Sequence, residues 1–260
     1  MGRRARPRGV AEQACVHVTH RCHGREFLLR FEVDRRRYRE RLRQMALAYP
    51  VSVLNYVITS NHVHLLLWAA KMEYISEGLR FLQGTAAQDY NRRKHREGAF
   101  WSGRYHATLI QKGAHLSRCL YYIDLNMVRA GRVKHPAQWV CGGFHELAGR
   151  RQRYRILDVP CLLRCLEMKT EVEFRDWHLR TIEDVLASGP PVREPDWSRA
   201  VAVGDEAWVR RLAGRVTTGR CQVTALAAPT PFDARAAGSY ALSAPKPVSD
   251  GLVATWLSKP

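Results

Sequence analysis

The stretch Leu54-Asn55-Tyr56-Val57-Ile58-Thr59-Ser60-Asn61-His62-Val63-His64-Leu65-Leu66-Leu67 holds two apolar runs joined by a short polar turn. Both runs are rich in Val, Ile, Leu and Tyr, and together they predict a β-hairpin. On a strand, residues i and i+2 point to the same face. His62 and His64 therefore stand side by side on one face of a sheet. That placement suits two neutral imidazoles converging on one metal ion. The plainer reading is a pair of strand histidines that pack or hydrogen-bond. A metal needs a further ligand from elsewhere in the chain.

A helix downstream offers one. The segment His115-Leu116-Ser117-Arg118-Cys119-Leu120-Tyr121-Tyr122-Ile123-Asp124-Leu125-Asn126-Met127-Val128-Arg129-Ala130 ends at Gly131, a helix stop signal. At roughly 100° per residue, Leu116, Cys119, Leu120, Ile123 and Met127 share an apolar arc. His115, Arg118, Tyr122, Asn126 and Arg129 form a polar stripe to one side of it. Tyr122 and Asn126 are one turn apart, and Tyr121 points away from Asn126. The stripe offers a nucleophile, an oxygen ligand for a metal and phosphate-binding arginines.

The flanking segments complete a topology. Cys15 to Thr19 alternates as a first strand, and His17 on it reads more simply as a satisfied sheet histidine than as a site residue. His20, Cys22 and His23 follow as loop residues. Asp34 to Tyr49 reads as a basic helix, Glu73 to Arg96 as a second helix and Tyr105 to Gln111 as a fourth strand. The expected fold is α+β: a ferredoxin-like βαββαβ antiparallel sheet, a C-terminal tyrosine-bearing helix, and an α-helical C-terminal extension. Such a fold implies no function by itself.

The chain resembles the single-tyrosine transposases of the His-hydrophobe-His (HUH) superfamily, above all those of bacterial insertion sequences and the REP-associated tyrosine transposases. Three segments carry the likeness: Tyr56 to Leu66; Phe100-Trp101 with Arg104-Tyr105-His106; and Tyr121 to Gly131. Weaker similarity runs from about Val16 to Glu146. The resemblance implies a metal site of His62, His64 and Asn126 holding Mg²⁺ or Mn²⁺, with Tyr122 as the catalytic nucleophile on single-stranded DNA. It implies a metal-dependent endonuclease and strand transferase acting through a 5′-phosphotyrosine, in DNA transposition or mobilisation of palindromic hairpin elements. A non-catalytic single-stranded DNA or RNA binder of the same fold is the alternative. A metal hydrolase is a third reading, but no further acidic or histidine ligands stand at a readable spacing. Met127 departs from the proline that many relatives have after the asparagine; it lies beside the site.

Composition agrees with such a partner. Of 260 residues, 42 are Lys or Arg against 24 acidic, a formal charge of +18. That excess favours an anionic polymer, with salt-dependent binding. Arg92, Arg93, Arg104, Arg118 and Arg129 are the candidate DNA contacts. Trp101 and Tyr105 either stack bases or plug the sheet edge. Seven scattered cysteines without a C-x-x-C pair signal no structural zinc and fit a reducing bacterial cytoplasm. No apolar run is long enough to span a bilayer. The expected divisions are a basic arm at 1–13, a catalytic domain at 14–148, a small helical extension at 149–215 and a mostly irregular tail at 216–260. Single-stranded or hairpin DNA is the expected partner, for a monomer or a homodimer, with cis or trans use of Tyr122 both open.

Overall fold

A computed structural model of the chain describes residues 15–189, 194–214, 222–225 and 239–243. The basic arm expected at 1–13 and most of the tail lie outside the described residues. The strands are β1 (Cys15–Arg21), β2 (Ser52–Ile58), β3 (His62–Trp68), β4 (His106–Ile110), β5 (Ala202–Gly204), β6 (Gln222–Ala225) and β7 (Tyr240–Ser243). The helices are α1 (Glu32–Ala48), α2 (Met72–Arg93), α3 (Ala114–Asp124), α4 (Asn126–Arg129), α5 (Phe144–Leu147), α6 (Val159–Leu166), α7 (Glu171–Ala187) and α8 (Glu206–Ala213).

Strands β1 to β4 pair antiparallel in the order β2-β3-β1-β4. With α1 and α2 between them in sequence, this is the expected ferredoxin-like βαββαβ arrangement. Strand β3 is central, between β2 and β1. The register sets Thr19 opposite His64 and Arg21 opposite His62. It sets His17 opposite Thr108 and Thr19 opposite His106. Directly opposed residues share a face, so His17, His62, His64, His106 and Thr108 all lie on one side of the sheet.

Helices α1 and α2 pack on each other, and their buried residues recur at helical spacing: Tyr38, Leu42 and Met45 in α1, and Ile75, Leu79, Leu82 and Ala86 in α2. The opposite, histidine-bearing face is covered by α3, which packs on β2, β3 and β4. The expected continuous tyrosine helix is interrupted at Leu125 (φ −81°, ψ 5°), so α3 and α4 are separate pieces. Gly131 stops α4 as expected, in the left-handed region (φ 62°), with its N–H bonded to Val128 O.

Trp101 is half-buried. Its indole N–H donates to Gln83 O at 3.0 Å and its ring stacks on His20 at 4.3 Å. His20 ends up at the close of β1 rather than in a loop.

The extension is not helical alone. Strand β5 adds to β4 in parallel, and β7 and β6 continue the sheet to seven strands. A three-residue strand carries too short an alternation to be read from sequence. The edge of β2 is closed by residues after the tyrosine helix, with Ile58 N bonded to Cys141 O and Asp158 N to Val53 O. Cys161 and Cys165 are buried core residues, as expected.

Candidate active site

Two tautomers follow from hydrogen bonding, and they decide what the histidine pair can do. His62 Nδ1 lies 2.7 Å from Asn61 Oδ1. Asn61 Nδ2 donates to Arg25 O at 3.2 Å, which orients the amide with its oxygen toward His62. In a neutral ring His62 Nδ1 is then the N–H, and Nε2 carries the lone pair.

His64 is fixed from further away. His17 Nδ1 lies 2.6 Å from Trp197 O, and His17 Nε2 lies 2.9 Å from His64 Nδ1. Burial holds His17 neutral, its pKa lowered to about 3; the Trp197 bond opposes this and the fields of His106 and Arg129 add to it. Burial also holds the His64 pKa well below the ordinary value, helped by His62, His17 and Arg129. A carbonyl only accepts, so a neutral His17 donates from Nδ1 and accepts at Nε2. His64 then donates from Nδ1 and turns the Nε2 lone pair outward.

Asn126 meets that lone pair: its Nδ2 lies 3.2 Å from His64 Nε2. An amide can present nitrogen or oxygen at the same spot. The rings of His62 and His64 are 4.9 Å apart, and that of Tyr122 is 6.0 Å from His64. Thus β3 supplies two imidazoles, the start of α4 supplies the amide, and the end of α3 supplies the phenol. The break at Leu125 leaves Tyr122 and Asn126 on one side. No group of three or more His, Cys, Asp or Glu side chains suited to a metal is present among the described residues. The Nε2 atoms of His62 and His64 and the Asn126 amide, turned to present its oxygen, are nonetheless a donor set of the type that fits a small divalent cation.

Tyr122 is only 7% exposed. Its hydroxyl faces Ser198 Oγ at 3.5 Å, and the Arg129 guanidinium lies 4.0 Å over its ring. Arg129 also donates to Tyr122 O at 2.6 Å. Asp124 anchors the same helix: its Oδ1 accepts from Asn55 Nδ2 at 2.9 Å and its Oδ2 lies 3.1 Å from His178 Nε2 on α7. Tyr121 points the other way, stacked on His178.

The five candidate DNA-contact arginines separate. Arg92 and Arg104 are exposed. Arg93 pairs with the buried Asp34. Arg118 donates to Glu194 at 2.5 Å and to Ser239 at 3.2 Å. Arg129 is the one beside Tyr122. Sequence reading passed over Asn61, Trp197, Ser198, Asp124 and His178, and it set His17 aside. The alternation Val16-His17-Val18 allowed His17 to face the site, and the register of β1 against β3 and β4 puts it there. A backbone carbonyl such as that of Trp197 leaves no signature in residue type.

Residues 10–126 match the family described as "Transposase IS200 like". Among solved structures the chain is similar to a REP-associated tyrosine transposase bound to a REP hairpin. That likeness has 17% identity and a TM-score of 0.46, and covers 58% of this chain and 86% of the other. A crystal structure of a candidate transposase from Deinococcus radiodurans R1 is similar at 22% identity and a TM-score of 0.32, covering 41% and 84%. No curated protein matches the chain significantly. No helix among the described residues is long and apolar enough to cross a membrane.

Proposed function

We propose that the chain cuts and rejoins single-stranded DNA, within or beside a hairpin, through a covalent bond to Tyr122. The observation that carries this is the convergence of His62, His64, Asn126 and Tyr122 on one sheet face. A nucleic-acid binder needs none of these side chains in contact. The match of residues 10–126 to the transposase family supports the substrate class.

His62, His64 and Asn126 would hold Mg²⁺ or Mn²⁺, which when bound offsets charge on the scissile phosphate. Tyr122 Oη then attacks phosphorus. One P–O bond forms to tyrosine, the bond to the 3′-oxygen breaks, the phenolic proton leaves to solvent and the strand end gains a 3′-OH. The product is a 5′-phosphotyrosine. Attack by a 3′-OH on that phosphorus reverses the exchange and frees Tyr122, so bond energy is conserved without a nucleotide cofactor. Arg129 places positive charge where negative charge grows as the phenol loses its proton. It also fixes the ring from above.

The test is an adduct assay on labelled single-stranded DNA with Mn²⁺ or Mg²⁺, resolved on a denaturing gel. The expected result is a metal-dependent covalent band, lost in Tyr122→Phe and kept in Tyr121→Phe. A band that survives Tyr122→Phe overturns the assignment. A salt-sensitive mobility shift with no adduct would put the binding-module reading in its place.

A further inference from the structure

We infer that His17 is a positioning residue that holds His64 in the tautomer presenting its Nε2 lone pair to the site. The inference rests on the proposed role of His64 as a metal ligand, but its central claim is about a proton's place and can be tested without a metal.

The relay has three links. Trp197 O accepts from His17 Nδ1 at 2.6 Å, and His17 Nε2 accepts from His64 Nδ1 at 2.9 Å. His64 Nε2 then faces the Asn126 amide at 3.2 Å. The two rings have centroids 5.1 Å apart and planes 17° apart. With a nitrogen–nitrogen distance of 2.9 Å, they lie nearly edge to edge in one plane, the geometry of an in-line hydrogen bond. His17 is fully buried, so neither nitrogen has water as a substitute partner. The anchor is also held: the single Thr108 hydroxyl proton is shared between Ala200 O at 2.8 Å and Trp197 O at 3.2 Å.

The site thus sets one tautomer twice by different devices. His62 is set locally, by Asn61 next to it in the chain. His64 has no such neighbour on the strand, and its setting comes through His17 from a carbonyl 180 residues downstream. The other tautomer would turn an N–H toward Asn126, and a protonated nitrogen does not ligate a metal. Outer partners of this kind typically contribute about 10–100-fold to metal affinity.

Nitrogen-15 and carbon-13 NMR of histidine-labelled full chain, without metal, reads the His64 tautomer directly. The expected signal has the proton on Nδ1; a proton on Nε2 in the wild type overturns the inference. His17→Leu should leave His64 as a tautomer mixture and weaken Mn²⁺ binding, followed by electron paramagnetic resonance, about 10–100-fold. His17→Gln should preserve both, because its amide oxygen accepts from His64 while its nitrogen donates to Trp197 O. Wild-type Mn²⁺ affinity and an unchanged tautomer in a folded His17→Leu protein would also overturn it. Should His17→Leu fail to fold, the wild-type tautomer and His17→Gln still decide. If the wild type binds no Mn²⁺, the ligand reading of His64 falls, while the NMR result decides the role of His17 on its own.

Discussion

Gly143 sits away from Tyr122, yet its replacement by alanine should loosen the tyrosine helix. Its backbone is ordinary (φ −72°, ψ −22°), so alanine meets no torsional strain there. The obstacle is space. A Cβ at Gly143 would overlap the Asn55 side-chain oxygen and lie 3.2 Å from Tyr56 N. Asn55 has little room to yield: its Oδ1 accepts from Tyr56 N at 2.8 Å, and its Nδ2 donates to Asp124 Oδ1 at 2.9 Å and to Leu120 O at 3.3 Å. Displacing it breaks one charge-assisted bond, worth roughly 1.5–3 kcal/mol, and a neutral one worth about 0.5–1.5. Gly143→Ala should therefore cost about 3 kcal/mol, and lower the melting temperature of a chain this size by about 6–12 °C. Urea unfolding of Gly143→Ala, Asn55→Ala and the double variant gives the test as a mutant cycle. Once Asn55 is truncated the overlap with its side chain is gone and only the 3.2 Å approach to Tyr56 N remains, so Gly143→Ala should cost much less in the Asn55→Ala background than in the wild type. A cost below about 1 kcal/mol, or simple additivity, would refute the reasoning.

Charge and protonation give three further tests. Arg92→Ala and Arg104→Ala should each weaken single-stranded DNA binding for all sequences and reduce its salt dependence by about one ion; an unchanged slope would remove both from the interface. Arg93→Ala should act on the fold instead, costing about 2–4 kcal/mol because it strands the buried Asp34 carboxylate, with the partial exposure of Arg93 keeping the figure low; DNA affinity lost at unchanged stability would contradict that. Acid should destabilise the protein, because burial lowers the pKa values of His17, His20 and His64 in the fold. Below the ordinary histidine value the unfolded chain takes up protons that the fold refuses, so stability present above pH 6.5 is lost as pH falls, down to about pH 3 for His17. Each such group adds up to about 1.4 kcal/mol per pH unit, and unfolding titrations of His20→Gln should show a shallower slope below pH 6.5 than the wild type; an identical slope would exclude His20.

The parts of the structure that the sequence makes legible are those where a period and a residue type coincide. The apolar runs around Thr59-Ser60-Asn61 are rich in strand-forming residues, and their hairpin sits where expected, with His62 and His64 on one face. Tyr122 and Asn126 stand together because four residues make about one turn, and the break at Leu125 does not undo it. What stayed hidden depends on partners distant in sequence. The pairing of Asp124 with His178 joins two helices whose order gives no hint of their contact. Arg93 lies in a basic run that reads as surface and Arg118 on the polar stripe of the tyrosine helix, and only the fold shows their carboxylate partners. Asn61 looked like a turn former, and it also orients a histidine.

The carbonyl of Trp197 has a bearing on how such a protein can be divided. Residues 195–200 lie well past the 10–126 segment that matches the family, yet they touch three side chains of the inner strands: His17, His106 and Thr108. Excising the matched segment alone would strip acceptors from all three and leave a dry polar floor under the histidine pair. Grafting the extension of one relative onto the sheet of another carries the same hazard, unless these contacts travel together. The working unit for engineering therefore runs at least to Ala200, and substitutions there belong with those on β1 and β4 as one inherited set.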